Sequence, residues 1–66
     1  MTIKVLKIEH GFLFGINTET REKENLHYSK KTGGGFNVNP GSVIVVEVTK
    51  VKHQPKRIIK VIQCKN

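Results

Sequence analysis

The run from Ser42 to Lys52 constrains this chain more than any other stretch. Ile44, Val46 and Val48 share one parity, and Val45, Glu47 and Thr49 share the other. That is the period-two pattern of a strand with one buried face. Six valines and isoleucines fall within the run. Their β-branched side chains lose rotamer freedom in a helix and pack well on a pleated surface, so the run reads as a strand.

Four further strands follow from the same reasoning. Thr2 to Glu9 carries Ile3, Val5, Leu6 and Ile8 with lysines between them. Val5 and Leu6 break the alternation, and a bend or bulge there would let both be used. His10-Gly11 is a tight-turn signal leading into a second strand, Gly11 to Asn17. Asn17 to Lys23 is a polar loop, and Glu19, Glu22 and Glu24 gather in or beside it. Glu24 to Ser29 is a short third strand, with Leu26 inward and Asn25 and His27 on the opposite face. Tyr28 has the parity of Leu26, and at a strand end it could enter the core or stand at the rim. Gly33-Gly34-Gly35 reads as a mobile loop, and Asn39-Pro40-Gly41 and His53-Gln54-Pro55-Lys56 read as turns. The glycines are not a phosphate-binding P-loop, since no Gly-Lys-Ser/Thr follows them and no helix opens after them. Arg57 to Gln63 is the last strand, with Ile58, Ile59, Val61 and Ile62 leaving its inward parity ambiguous.

These 66 residues make one domain, 1–66. A chain this short buries little surface. A closed barrel hides its apolar side chains and leaves few free edges. The fold class expected is all-β: a small five-stranded antiparallel barrel of the OB type, with Leu13, Leu26, Ile44, Val46 and Val48 inside.

Within that barrel, Gly11-Phe12-Leu13-Phe14-Gly15-Ile16 stands apart. Phe12 and Phe14 point to one face of the strand and Leu13 to the other. If Leu13 takes a core position, the rings stand outside. Another part of the chain could cover them. The sharper reading is a platform on which unpaired bases stack, because every base has a π-face. Pairing of the second and third strands would add His27 to that face. His27 can stack and, when protonated, can meet a phosphate.

Charge points the same way. Twelve Lys and Arg against five acidic residues give a net charge of +7 and a pI of about 9.9, which favours a polyanionic partner. A membrane is the weaker option, because no apolar run approaches the roughly 18 residues of a spanning helix. Met1-Thr2-Ile3-Lys4 lacks the apolar core of a signal peptide. Cys64 is the single cysteine, so no disulfide forms within the chain. These features suggest a cytoplasmic protein.

The order of motifs resembles a cold-shock domain over nearly the whole chain. Gly11-Phe12-Leu13-Phe14 resembles that family's first ribonucleoprotein-like motif, Lys-Gly-Phe-Gly-Phe-Ile, with His10 at the leading lysine and Leu13 at the central glycine. Leu26-His27-Tyr28-Ser29 resembles the second motif, Val-Phe-Val-His-Phe-Ser, with Asn25 at its first Phe. Gly41, Ile44, Val46 and Val48 match the fourth strand, and Gln54-Pro55 sits at the family's last-turn Gly-Pro. Lys4-Val5-Leu6 stands where the family has Lys-Trp-Phe, so the lysine is kept and an exposed tryptophan is not. The resemblance implies binding of single-stranded RNA or DNA with little sequence preference, and RNA-chaperone activity. It also implies that Phe36, on the glycine-rich loop, caps a base.

The residues expected to bind nucleic acid are therefore Lys4, Lys7, His10, Phe12, Phe14, His27, Tyr28, Lys30, Lys31, Phe36 and Lys56. Lys50, Lys52, Lys60 and Lys65 read as solvated. Catalysis and cofactors find no support. There is no Asp, the five Glu form no acid–base pair, and His10, His27, His53 and Cys64 lack metal-ligand spacing. The alternative class is a protein-binding module whose face docks on another protein, such as a nucleic-acid enzyme. The chain would be a monomer or a weak dimer, with the valine-rich fourth strand as a pairing edge.

Overall fold

A computed structural model describes residues 1–66. Five strands form a closed barrel: β1 (Thr2–Glu9), β2 (Phe12–Asn17), β3 (Lys23–His27), β4 (Val43–Thr49) and β5 (Arg57–Lys65). Their order around the wall is β1-β2-β3-β5-β4, with β4 returning to β1. This is the expected all-β barrel of the OB type. No helix is long and apolar enough to cross a membrane.

One seam differs from the expected antiparallel wall. β3 and β5 run parallel, in register at His27↔Arg57. An odd number of strands cannot alternate direction all the way round a closed ring, so one pairing must be parallel. Strands that already alternate through β1, β2, β4 and their partners leave that mismatch at β3 and β5. Further ties hold this seam. The His27 amide donates to the Lys56 carbonyl at 2.8 Å, and Lys56 Nζ lies 3.3 Å from Glu24 Oε1.

Turn chemistry sets the registers. His10 and Gly11 both have positive φ, 52° and 79°, and Glu9 pairs with Phe12 across them. A two-residue hairpin loop with φ > 0 at both positions matches the twist of its strands. At Asn39-Pro40-Gly41-Ser42 the Ser42 amide donates to the Asn39 carbonyl at 2.9 Å and Gly41 has φ of 93°. Pro fits the second position of such a turn and Gly the third. Asn17 Oδ1 accepts from the amides of Glu19 and Thr20 at 2.9 and 3.3 Å, which starts the loop into β3.

Ile3, Val5, Leu13, Leu26, Tyr28, Ile44, Val46, Ile58 and Val61 form the core, and Val48 packs against it half-buried. The β1 register shifts between Val5 and Lys7. Val5 goes inside, and Leu6 turns out to 48% exposure rather than joining it. Two shifts on β5 resolve the parity that its sequence left open. Val48 pairs with Ile58, Glu47 with Lys60, Val46 with Val61 and Val45 with Gln63, so Ile59 and Ile62 are extra residues. Each extra residue is pushed outward, which sets the inward positions three apart instead of two.

One expectation is corrected, and one segment gains detail. From Val43 to Val46, β4 is bonded on both sides, by β5 and by β1 with Met1, so the valine-rich run is wall and not a free dimer edge. The residues leading into the three glycines form a turn of 3-10 helix, Lys30–Gly33. Thr32 Oγ1 fastens that turn, donating to the Ser29 carbonyl at 2.6 Å and accepting from the Ser29 amide at 3.2 Å.

Candidate nucleic-acid interface

Three rings stand together outside the barrel wall. Phe12 pairs with His27 and Phe14 with Asn25 across β2 and β3, while Leu13 and Leu26 pair on the inner side. The alternation of both strands therefore turns one face into the core and the other to solvent. The Phe12 and Phe14 centroids are 6.4 Å apart, with planes inclined at 39°. His27 meets Phe12 edge-on at 4.9 Å and 68°. That edge-on geometry is favourable for aromatic pairs. Both phenylalanines are half-buried, and His27 is exposed.

β1 adds charge along one side. Lys7 pairs with Phe14 in the β1–β2 ladder, and its Nζ sits 4.9 Å from that ring's centroid and 3.5 Å from Glu9 Oε2. A lysine over an exposed ring contributes about 0.5–1 kcal/mol, so an incoming base can displace it at low cost. Lys4 lies farther along the same outer face, in register with Ile16. His10 projects from the hairpin turn, exposed, with its Nε2 3.3 Å from Glu9 Oε1. The acidic Glu19 and Glu22 lie in the β2–β3 loop, at the opposite end of the hairpin from Phe12 and His27.

The other expected residues are distributed elsewhere. Tyr28 belongs to the core. Its amide donates to the Gly11 carbonyl at 2.9 Å, which continues the strand parity of Leu26 by one residue and carries the ring inside to 8% exposure. Its hydroxyl lies against Gly33, where an added Cβ would stand 2.7 Å from the oxygen. Tyr28 has no free face for a base, and burial pushes its hydroxyl above the ordinary pKa of 10.0, with Cys64 a smaller cause in the same direction. Lys56 is engaged with Glu24 at the seam. Lys30 and Lys31 sit on the 3-10 turn and are grouped with Phe36, not with the paired rings. Phe36 is 41% exposed, between one hollow shared with Ile8 and another shared with Ile59 and Ile62.

No family model, curated protein or solved structure matches this chain.

Arg57 lies beside the ring cluster and is a residue that the sequence reading passed over. It stands in register with His27 across the β3–β5 seam, and the two line one hollow with Ser29, Thr32, Ile58 and Ile59. Arg57 forms no ion pair. The signal for it was faint: it is the first residue after the Pro55 turn, but only the parallel closure brings that turn to β3.

Proposed function

We propose that this protein binds single-stranded nucleic acid on the Phe12–Phe14–His27 face, in the manner of the cold-shock domains that its motifs resemble. One observation carries the reading: three rings share the outer face of β2 and β3, Phe12 edge-on to His27 and tilted against Phe14, with Lys7 over the Phe14 ring. OB barrels take oligonucleotides on the β2–β3 face and its flanking loops. Stacking on such rings is worth about 1–3 kcal/mol per base and tolerates any base.

The ring spacing favours an extended strand. Phe12 and Phe14 are 6.4 Å apart, nearly twice the roughly 3.4 Å between stacked nucleotides of one duplex strand. Neighbouring bases must part to occupy both rings, which a single strand does freely and a duplex does not. Lys7, Lys4, His10 and Arg57 lie on or beside this face, and on this reading they meet the phosphates. A protein that holds strands open by stacking would also melt weak RNA structure, which is the chaperone activity the resemblance implies.

The test is a titration of the protein with a short oligothymidylate and with a duplex of equal length. Tighter binding of the single strand supports the proposal. If neither binds at low salt, the face is better read as a docking surface for a protein.

A further inference from the structure

The margin of β5 that faces away from β4 is largely unpaired, with the 3-10 turn packed beside it. Beyond the single register point His27↔Arg57, β5 pairs with no strand on that side. None of the backbone hydrogen bonds outside the regular ladders involves residues 58–65. Ile59, Lys60, Val61 and Ile62, four consecutive residues of this strand, form one wall of a hollow. Lys31, Thr32, Gly34 and Phe36 form the other, from the 3-10 turn and the segment after it. An open strand margin is a template for another strand. Extended peptides use such margins, with main-chain bonds giving affinity and alternate side chains entering pockets.

The apolar content of the hollow is exposed. The two bulge residues, Ile59 and Ile62, are 49% and 48% exposed, and Phe36 is 41% exposed. Its charge is of one sign. Lys31 and Lys60 line it, Arg57 stands in the adjoining hollow that shares Ile59 and Thr32, and none of the three is in an ion pair. No acidic side chain lines either hollow.

Charge also selects among occupants. A second copy adding its own β5 would bring Arg57, Lys60 and Lys65 of both copies together, with no acid on the strand to offset them. Like charges across a strand pair are destabilising. A nucleic-acid strand would satisfy the lysines, but Phe36 is the one ring of the hollow, and Ile59 and Ile62 on the strand side have no π-face for its bases. We propose that the β5 margin from Ile59 to Ile62 takes up an extended acidic segment of a partner protein as an added strand. Its apolar side chains lie on Ile59, Ile62 and Phe36, and its carboxylates on Lys31 and Lys60. Phe12, Phe14 and His27 take no part and only Arg57 borders both faces, so the proposal does not rest on the nucleic-acid reading.

The probe is a synthetic peptide of alternating Val and Glu, compared with the same peptide N-methylated at alternate residues. Amide exchange and shifts are followed by NMR on the whole chain. The expected result is slowed exchange within residues 59–62 on saturation. N-methylation should weaken binding by about tenfold or more, as should Ile62→Glu. Lys60→Glu, an exposed charge change that leaves the apolar contacts intact, should weaken it in the same direction if Ile62→Glu fails to fold. Equal binding of the methylated peptide, or no protection at residues 59–62, overturns the proposal. So does protection of those residues by oligothymidylate alone, or by concentration-dependent dimerisation without peptide.

Discussion

Phe12 and His27 stand directly opposite each other on β2 and β3, ring centroids 4.9 Å apart and planes at 68°. The next residue of β2, Leu13, and the residue before His27, Leu26, are both fully buried. One hairpin therefore supplies part of the core and the outer ring cluster, divided by strand parity alone. Mutations on its two sides should separate stability from binding.

On the inner side, Val46→Ala should destabilise the fold by about 1–3 kcal/mol, the range for removing buried methyl groups from a packed core. Val46 is 2% exposed and lies within the main cluster. A domain's whole stability is roughly 5–15 kcal/mol, so the urea midpoint should fall visibly. An unchanged midpoint would place Val46 outside the core.

Gly15 tests how closely β1 and β2 are packed. A Cβ added there would stand 2.4 Å from Ile3 Cγ2 and 2.6 Å from the Lys4 carbonyl oxygen. Backbone cannot move aside as a flexible side chain can. Gly15→Ala should cost about 1–3 kcal/mol, as overpacking does, although alanine usually suits a strand better than glycine. Chemical denaturation of the variant checks this, and a stabilised variant would contradict the close approach.

Tyr28 gives a pH prediction. Burial holds its pKa above 10.0 in the folded state. The unfolded chain then loses this proton first as pH rises, so unfolding becomes easier. The stability contributed by the neutral phenol is complete below the unfolded value near 10 and is lost as pH climbs through the raised folded value. Tyr28 is the only tyrosine, so tyrosinate absorbance during alkaline titration reports it alone. Ionisation at or below pH 10.0 in the folded protein would mean that the ring is solvated.

How far the sequence foretold this arrangement depended on the strand. β2 and β4 were legible because they keep period two without interruption, and Leu13, Ile44 and Val46 are buried as their parity implies. The His10-Gly11 turn was legible from its glycine. β5 was not, because bulges at Ile59 and Ile62 place Ile58 and Val61 inward three residues apart, and a sequence does not mark where a strand gains a residue. The grouping of Phe12, Phe14 and His27 needed only the pairing of neighbouring strands. Arg57 beside His27 needed the closure of the ring, which joins segments distant in sequence. Tyr28 sat one residue past the paired part of β3, where parity ceases to decide, and its bond to Gly11 settled the side.

Salt dependence should distinguish rings from cations. For a single strand, log affinity should fall with log salt by about 0.7 per phosphate neutralised. Lys7→Ala should reduce that slope and matter less at high salt, whereas Phe14→Ala should weaken binding by a similar factor at every salt concentration. A Phe14→Ala loss that vanishes at high salt would contradict stacking.

The central claim is most directly tested by measuring thermal melting and oligothymidylate binding on Phe12→Ala and Phe14→Ala. The rings are half-buried on the outer face, so each variant should melt close to the parent, far short of the roughly 3–5 kcal/mol lost with a core ring. Each should bind the single strand more weakly by about 1–3 kcal/mol. Near-parental melting together with unchanged binding would contradict a stacking platform on this face.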